Sequence, residues 1–139
     1  MERLWAIRPP RTAGCKGLQQ TAKRDVDGFV LAAPKANIEA YKEVARKAGE
    51  VSTKFGALSY VECVGDDVPM GELTSFPRAV QARDGEVVVF SWIAYESRAA
   101  RDAINAKVMA DPRLKPDAET MPCDGKRMIY GGFESFLAL

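Results

Sequence analysis

Residues 86–97 read EVVVFSWIAYES, the run that most constrains what this chain can fold into. Strand side chains alternate, so Val87, Val89, Ser91 and Ile93 share one face and Val88, Phe90, Trp92 and Ala94 the other. Both faces are apolar. VDGFVLAA, residues 26–33, repeats the pattern, with Phe29 and Leu31 on one side and Val26 and Val30 on the other. A small antiparallel sheet ordinarily gives one face to water. Two strands apolar on both sides therefore belong at the centre of a sheet that must be covered twice.

Helical spacing connects these strands. Ile38, Tyr41, Ala45, Ala48, Ser52 and Phe55, flanked by Val44 and Val51, predict a helix over residues 37–55 with Asn37 as N-cap and Gly56 as its end. Residues 58–65, LSYVECVG, alternate weakly, as on an edge strand. Pro77 bars a central strand from residues 73–85, which predicts an edge excursion or a short helical turn there. Ser97 caps a second helix over residues 97–111, whose buried stripe is Ala100, Ala103, Ile104 and Val108 with Met109 beside them, and Asp111-Pro112 stops it. Residues 126–139 hold the last strand, with Met128 and Tyr130 on one face and Ile129 and Phe133 on the other.

The order β-α-β-β-α-β predicts an α+β, ferredoxin-like domain over residues 26–139: an antiparallel sheet with both helices on one face. In that topology the first and third strands are central, and they are the two apolar on both sides. Two helices cover one face only. The expectation is that a second copy covers the other, sheet to sheet, as a homodimer of the dimeric α/β barrel kind, because wetting Phe90 and Trp92 would forfeit several kcal/mol at about 25 cal/mol per Å².

Composition narrows the function classes. The 20 Lys/Arg and 19 Asp/Glu are unevenly spread: residues 1–25 hold six basic residues against two acids, and the rest hold 14 against 17. A mildly acidic body lacks the clustered basic surface that phosphate neutralisation requires, so no nucleic-acid partner is expected. Residues 1–25 read as a basic, aperiodic extension: a disordered tail, a transit peptide or a start placed upstream of the domain. The longest apolar run, Val87–Tyr95, falls far short of a membrane span of about 18 residues. Cys15, Cys63 and Cys123 are odd in number and widely spaced, which suggests a reducing compartment, the cytoplasm, without a disulfide framework or zinc site. The absence of histidine removes Ser-His-Asp and Cys-His nucleophile activation, H-E-x-x-H zinc chemistry and a proximal haem histidine.

The segments VDGFVL followed by Pro34 and Lys35, ECVGDDVP (62–69), TSFPRAV (74–80), EVVVFSWIAYESRAARDAINAKVMADPR (86–113) and MPCDGKRMIYGGFE (121–134) resemble the YbaA-like family. Its members are small uncharacterised bacterial proteins of the dimeric α/β barrel, ferredoxin-like superfamily, and the resemblance runs from residue 26 to 136. It implies the same fold and no defined activity. Some members carry a label tying them to signal-recognition-particle RNA, which the acidic body here does not support. Residues 1–25 extend beyond the family's usual start, and Cys123 stands where the family's motif leads one to expect Phe.

The site candidates each have a plainer account beside them. Asp66-Asp67 resembles an acidic metal pair, but neighbours in an extended chain point opposite ways, so turn chemistry is the simpler reading and no metal or other cofactor is expected. Asp67 remains a candidate general base and Tyr130 a second proton-transfer group. Trp92, Tyr60 and Tyr95, with Tyr130, are candidate walls of a ligand cavity between the sheet and its partner, or simply core and interface. Arg127 and Arg78, with Lys126, are candidates for an anion site, or solvated surface. Gly131-Gly132 marks a bulge or close backbone approach rather than a phosphate loop, since no helix follows. Cys63 reads as a small buried group. Two functions follow: an accessory or stress-related protein binding a small organic ligand without chemistry of its own, or a cofactor-independent enzyme, of mono-oxygenase or isomerase type, acting on a small aromatic or carbonyl compound.

Overall fold

The computed structural model describes residues 24–114 and 122–139. Most of the extension expected over residues 1–25, and part of the loop before the last strand, lie outside them. Four strands, β1 (Asp25–Pro34), β2 (Ser59–Val64), β3 (Glu86–Tyr95) and β4 (Ile129–Glu134), form one antiparallel sheet in the order β2-β3-β1-β4. Between them lie α1 (Ile38–Lys54), a single helical turn α2 (Phe76–Ala79) and α3 (Arg98–Ala110). This is the ferredoxin-like arrangement, and the two strands apolar on both sides are the two central ones.

Local signals act where expected. Gly56, at φ 118°, ends α1, and the amide of Ala57 reaches back to the carbonyl of Ser52 at 3.0 Å. The Ser97 hydroxyl accepts the amide of Ala100 at 3.0 Å and caps α3. Asn37 occupies the N-cap position of α1 without a side-chain cap; its amide instead meets the Pro122 carbonyl at 3.5 Å. Residues 73–85 take the short helical turn, with Ser75 as its cap. Ala103 and Met109 depart from their expected places in the buried stripe: both are exposed, Met109 at 86%, because α3 turns Ile104 to the sheet and leaves them outside.

The register separates two faces. Phe29, Leu31 and Ala33 of β1 and Val89, Ile93 and Tyr95 of β3 pack under the helices, against Tyr41 and Ala45 of α1 and Ile104 of α3. On the opposite face, α2 folds back over one end. Val80, fully buried, seats on Val30, Ala32 and Val88. The rest of that face stays open: Phe90, Ile129 and Phe133 are 41%, 45% and 64% exposed, and Trp92 packs on Phe90 with ring centroids 5.7 Å apart.

Candidate functional site

Residue alternation on β2 turns Tyr60, Glu62 and Val64 toward the helices, opposite Ile93, Ser91 and Val89 of β3. Glu62 faces Ser91 across the ladder, with Leu31, Ala45 and Ile93 close by. Glu62 is held by two phenols. The Tyr41 hydroxyl, from α1, donates to Oε2 at 2.8 Å and the Tyr60 hydroxyl, from the same strand, to Oε1 at 3.0 Å. No lysine or arginine pairs with it among the described residues. The contrast is sharp with other carboxylates held by their side chains: Asp27 has Arg101, Glu86 and Asp124 have Arg127, and Asp111 has Arg113.

This carboxylate stands in the wall of a cavity of about 210 Å³ between α1 and the sheet. Phe29, Leu31, Ala45, Ile93 and Met128 make most of the lining, with Ser91 and Cys123 adding polar atoms. Burial first, and then the charge of Glu62, push the Tyr41 and Tyr60 hydroxyls far above the usual phenol range, so both remain protonated donors. Burial likewise pushes the Cys123 thiol up, with Asp124 and Glu62 acting in the same direction. That keeps it a neutral wall group rather than a thiolate.

The segment that lends Cys123, Gly125 and Met128 to the cavity wall is fastened from outside. Arg127 makes a two-pronged pair with Glu86, both contacts 2.7 Å, and also donates to Asp124 at 3.1 Å and to the Gln81 carbonyl at 2.9 Å. Asp124 caps the turn Gly125–Arg127 through the amide of Lys126. Cys123 and Met128 are thereby presented to the cavity while the arginine points away from it.

The residues expected to form one site fall on different sides of the sheet. Tyr60 lines the cavity. Tyr95 is fully buried beneath α3, its hydroxyl 3.1 Å from Asp27 Oδ2 and 3.0 Å from Asn105 Oδ1. Tyr130 also faces the helix side, stacked on Phe29 at 6.4 Å but 74% exposed, at a separate cleft with Asp27, Arg101 and Asn105. Trp92 lies on the open face, and Asp67 is exposed beside the same face near Cys63, Phe76 and Phe90. Cys63, expected to be buried, is exposed there, because nothing in the described chain covers that end of β2. Arg78 binds the Met70 carbonyl at 2.9 Å and braces its own loop, and Arg127 is committed to Glu86. Tyr41 and Glu62 were not singled out from sequence. The signal available was Glu62 itself, a charge on the helix-facing side of a strand. Among the described residues no group of acids, cysteines or histidines is placed to hold a metal, and no helix is long and apolar enough to cross a membrane.

Comparison with known proteins agrees with the motifs. The chain is 56% identical over 112 residues to the uncharacterised protein YbaA of Escherichia coli K12, an alignment spanning 81% of this chain and 96% of the relative. The YbaA protein of Shigella flexneri matches to the same extent, 56% over 112 residues. Among solved structures, a dimeric ferredoxin-like protein from an uncultured marine organism superposes with a TM-score of 0.50 at 10% identity, covering 84% of this chain and 97% of that one. The family described as Protein of unknown function (DUF1428) matches residues 24–125, and the chain belongs to it.

Proposed function

We propose that the chain works as a homodimer closed sheet to sheet, each subunit holding a small uncharged ring compound in its helix-side cavity. The observation that carries the ligand reading is Glu62, a carboxylate in the wall of an apolar cavity whose two hydrogen bonds come from phenols, with Lys42 and Arg46 lining the open cleft on its other side. Each of its oxygens keeps a lone pair beyond the one a tyrosine occupies. The cavity therefore offers acceptors, and it suits a ligand that brings an O–H or N–H donor on an apolar ring. A volume of about 210 Å³ fits a monocyclic compound rather than a drug-sized one. A carboxylate ligand would meet Glu62 as a like charge.

A second copy is the occupant that best suits the open sheet face. Phe90, Ile129 and Phe133 stand partly in water, and withdrawing what remains exposed of each contributes about half of the 1.5–3 kcal/mol that full burial gives. The solved relative of the same fold is described as dimeric. Three of the cations of α1 and α3 are tied up in ion pairs, which favours this reading over a nucleic-acid surface: Lys42 pairs with Glu39, Arg46 with Glu43 and Glu50, and Arg98 with Asp102.

Titration of the protein with phenol, aniline and benzoate, followed by thermal shift and calorimetry, tests the cavity. Phenol and aniline are expected to bind and benzoate not. Glu62→Gln should weaken phenol about tenfold or more, the scale of a hydrogen bond to a charged acceptor. Equal binding of phenol and benzoate, or no effect of Glu62→Gln, overturns the assignment.

A further inference from the structure

Resting on the reading of the helix-side cavity as a small-molecule site, we infer that Glu62 is a proton-transfer group and that the cavity interconverts keto and enol forms of small cyclic carbonyl compounds. Two buried carboxylates elsewhere in this chain are held by arginine. Glu86 receives two contacts of 2.7 Å from Arg127, and Asp27 receives Arg101 at 3.0 Å. A guanidinium partner fixes a carboxylate in its charged form, because protonation would leave the arginine unpaired. Glu62 is positioned as firmly, from two elements, yet only by neutral donors at 2.8 and 3.0 Å. It can gain and lose a proton without stranding a buried cation. That is the requirement for a group that cycles between base and acid.

The phenols supply the second requirement. A carbonyl compound losing a proton from its α-carbon gathers negative charge on oxygen, and that oxygen needs a donor. Once Glu62 has taken the proton it no longer draws on both hydroxyls. The O–H of Tyr41 or Tyr60 can then turn by rotation about its C–O bond to the enolate oxygen. The step balances within the substrate: the C–H bond breaks, its electron pair forms the C=C bond, the carbonyl π pair moves to oxygen, and the proton rests on Glu62. Glu62 then returns it to the oxygen, giving the enol, or to another carbon of the same conjugated system, giving an isomer. No oxidant, reductant or co-substrate is consumed. The apolar lining of Phe29, Leu31, Ile93 and Met128 borders Glu62 on the side where the charge forms, and its other side opens on a cleft with Lys42 and Arg46.

The test is hydrogen exchange at carbon. The full-length protein is incubated with 1,4-cyclohexanedione, a neutral diketone that stays in the keto form, in deuterium oxide, and loss of the α-proton signals is followed by NMR while binding is measured separately by calorimetry. Wild type should accelerate exchange by about a hundredfold or more over buffer, the lower end of what a positioned acid–base group contributes. Glu62→Gln should abolish the acceleration while still binding the diketone. Tyr41→Phe and Tyr60→Phe should each slow it about tenfold with Glu62 intact, the loss expected from removing one donor to a developing oxyanion being of that order or larger. Saturable binding with no acceleration by wild type, or acceleration retained in Glu62→Gln, overturns the proton-transfer role and leaves the ligand site standing. Absence of any saturable binding of either phenol or diketone overturns both.

Discussion

Gly49 sits inside α1, where glycine costs about 1 kcal/mol relative to alanine. Its reason is Tyr60: a Cβ at residue 49 would come within 2.8 Å of the Tyr60 ring. Gly49→Ala should therefore lose stability, by about 1–2 kcal/mol in urea unfolding, despite its better helix propensity. A gain of stability would show that Tyr60 yields easily and that its grip on Glu62 is loose. Glu86 gives a pH signature. The hydrogen bonds from Arg127 are the chief cause that holds its carboxyl down, from 4.5 to about 2. A group whose ionisation is depressed by folding adds stability above its unfolded value and loses it as pH falls toward the folded one. The advantage of wild type over Glu86→Gln should thus be full above pH 4.5 and shrink toward pH 2, read as urea midpoints at intervals. A difference that stays constant across that window would separate Glu86 from the acid limb. At this scale the sequence spoke unevenly. Ser97 announced itself as a cap, whereas Arg127 and Arg78 looked like free cations until their partners, 41 residues away in the first case and eight in the second, were in view.

Elements were the most legible level. Two long helices and four strands follow from apolar periodicity, with glycine and proline punctuation setting their ends. The connection from β2 to β3 was not legible in this way, because Pro77 and scattered apolar residues give no period. In the structure that segment is what begins to cover the second face of the sheet. Val80→Ala should cost about 2 kcal/mol, since it empties a fully buried position against Val30 and Val88. A loss below 0.5 kcal/mol would mean that α2 does not seal that end in solution. The faces of β2 and β4 were readable in principle from alternation. Even so, the expected cavity gathered Trp92 and Tyr95, which differ by three positions along one strand and so stand on opposite sides of it.

For the whole molecule, the prediction concerns association. Phe90→Glu places a charge at the centre of the open face and should convert a dimer to a monomer in sedimentation, with Trp92 emission shifting to the red. If wild type itself sediments as a monomer at micromolar concentration, the sheet-to-sheet reading falls while the helix-side cavity stands, because that cavity is built within one chain. The residues that line it come from α1, β1, β2, β3 and the segment before β4.

The sequence by itself determined which strands are central, which residues anchor the helices to the sheet, Tyr41, Ala45 and Ile104 among them, and that the fold is ferredoxin-like, because alternation and helical spacing are local properties that burial reads out directly. Only the tertiary structure decided that Tyr41 and Tyr60 meet on Glu62, that Arg127 is spent on Glu86 and that α2 roofs part of the open face. Hydrogen bonds between residues distant in sequence depend on how elements cross, and no periodicity along the chain encodes a crossing.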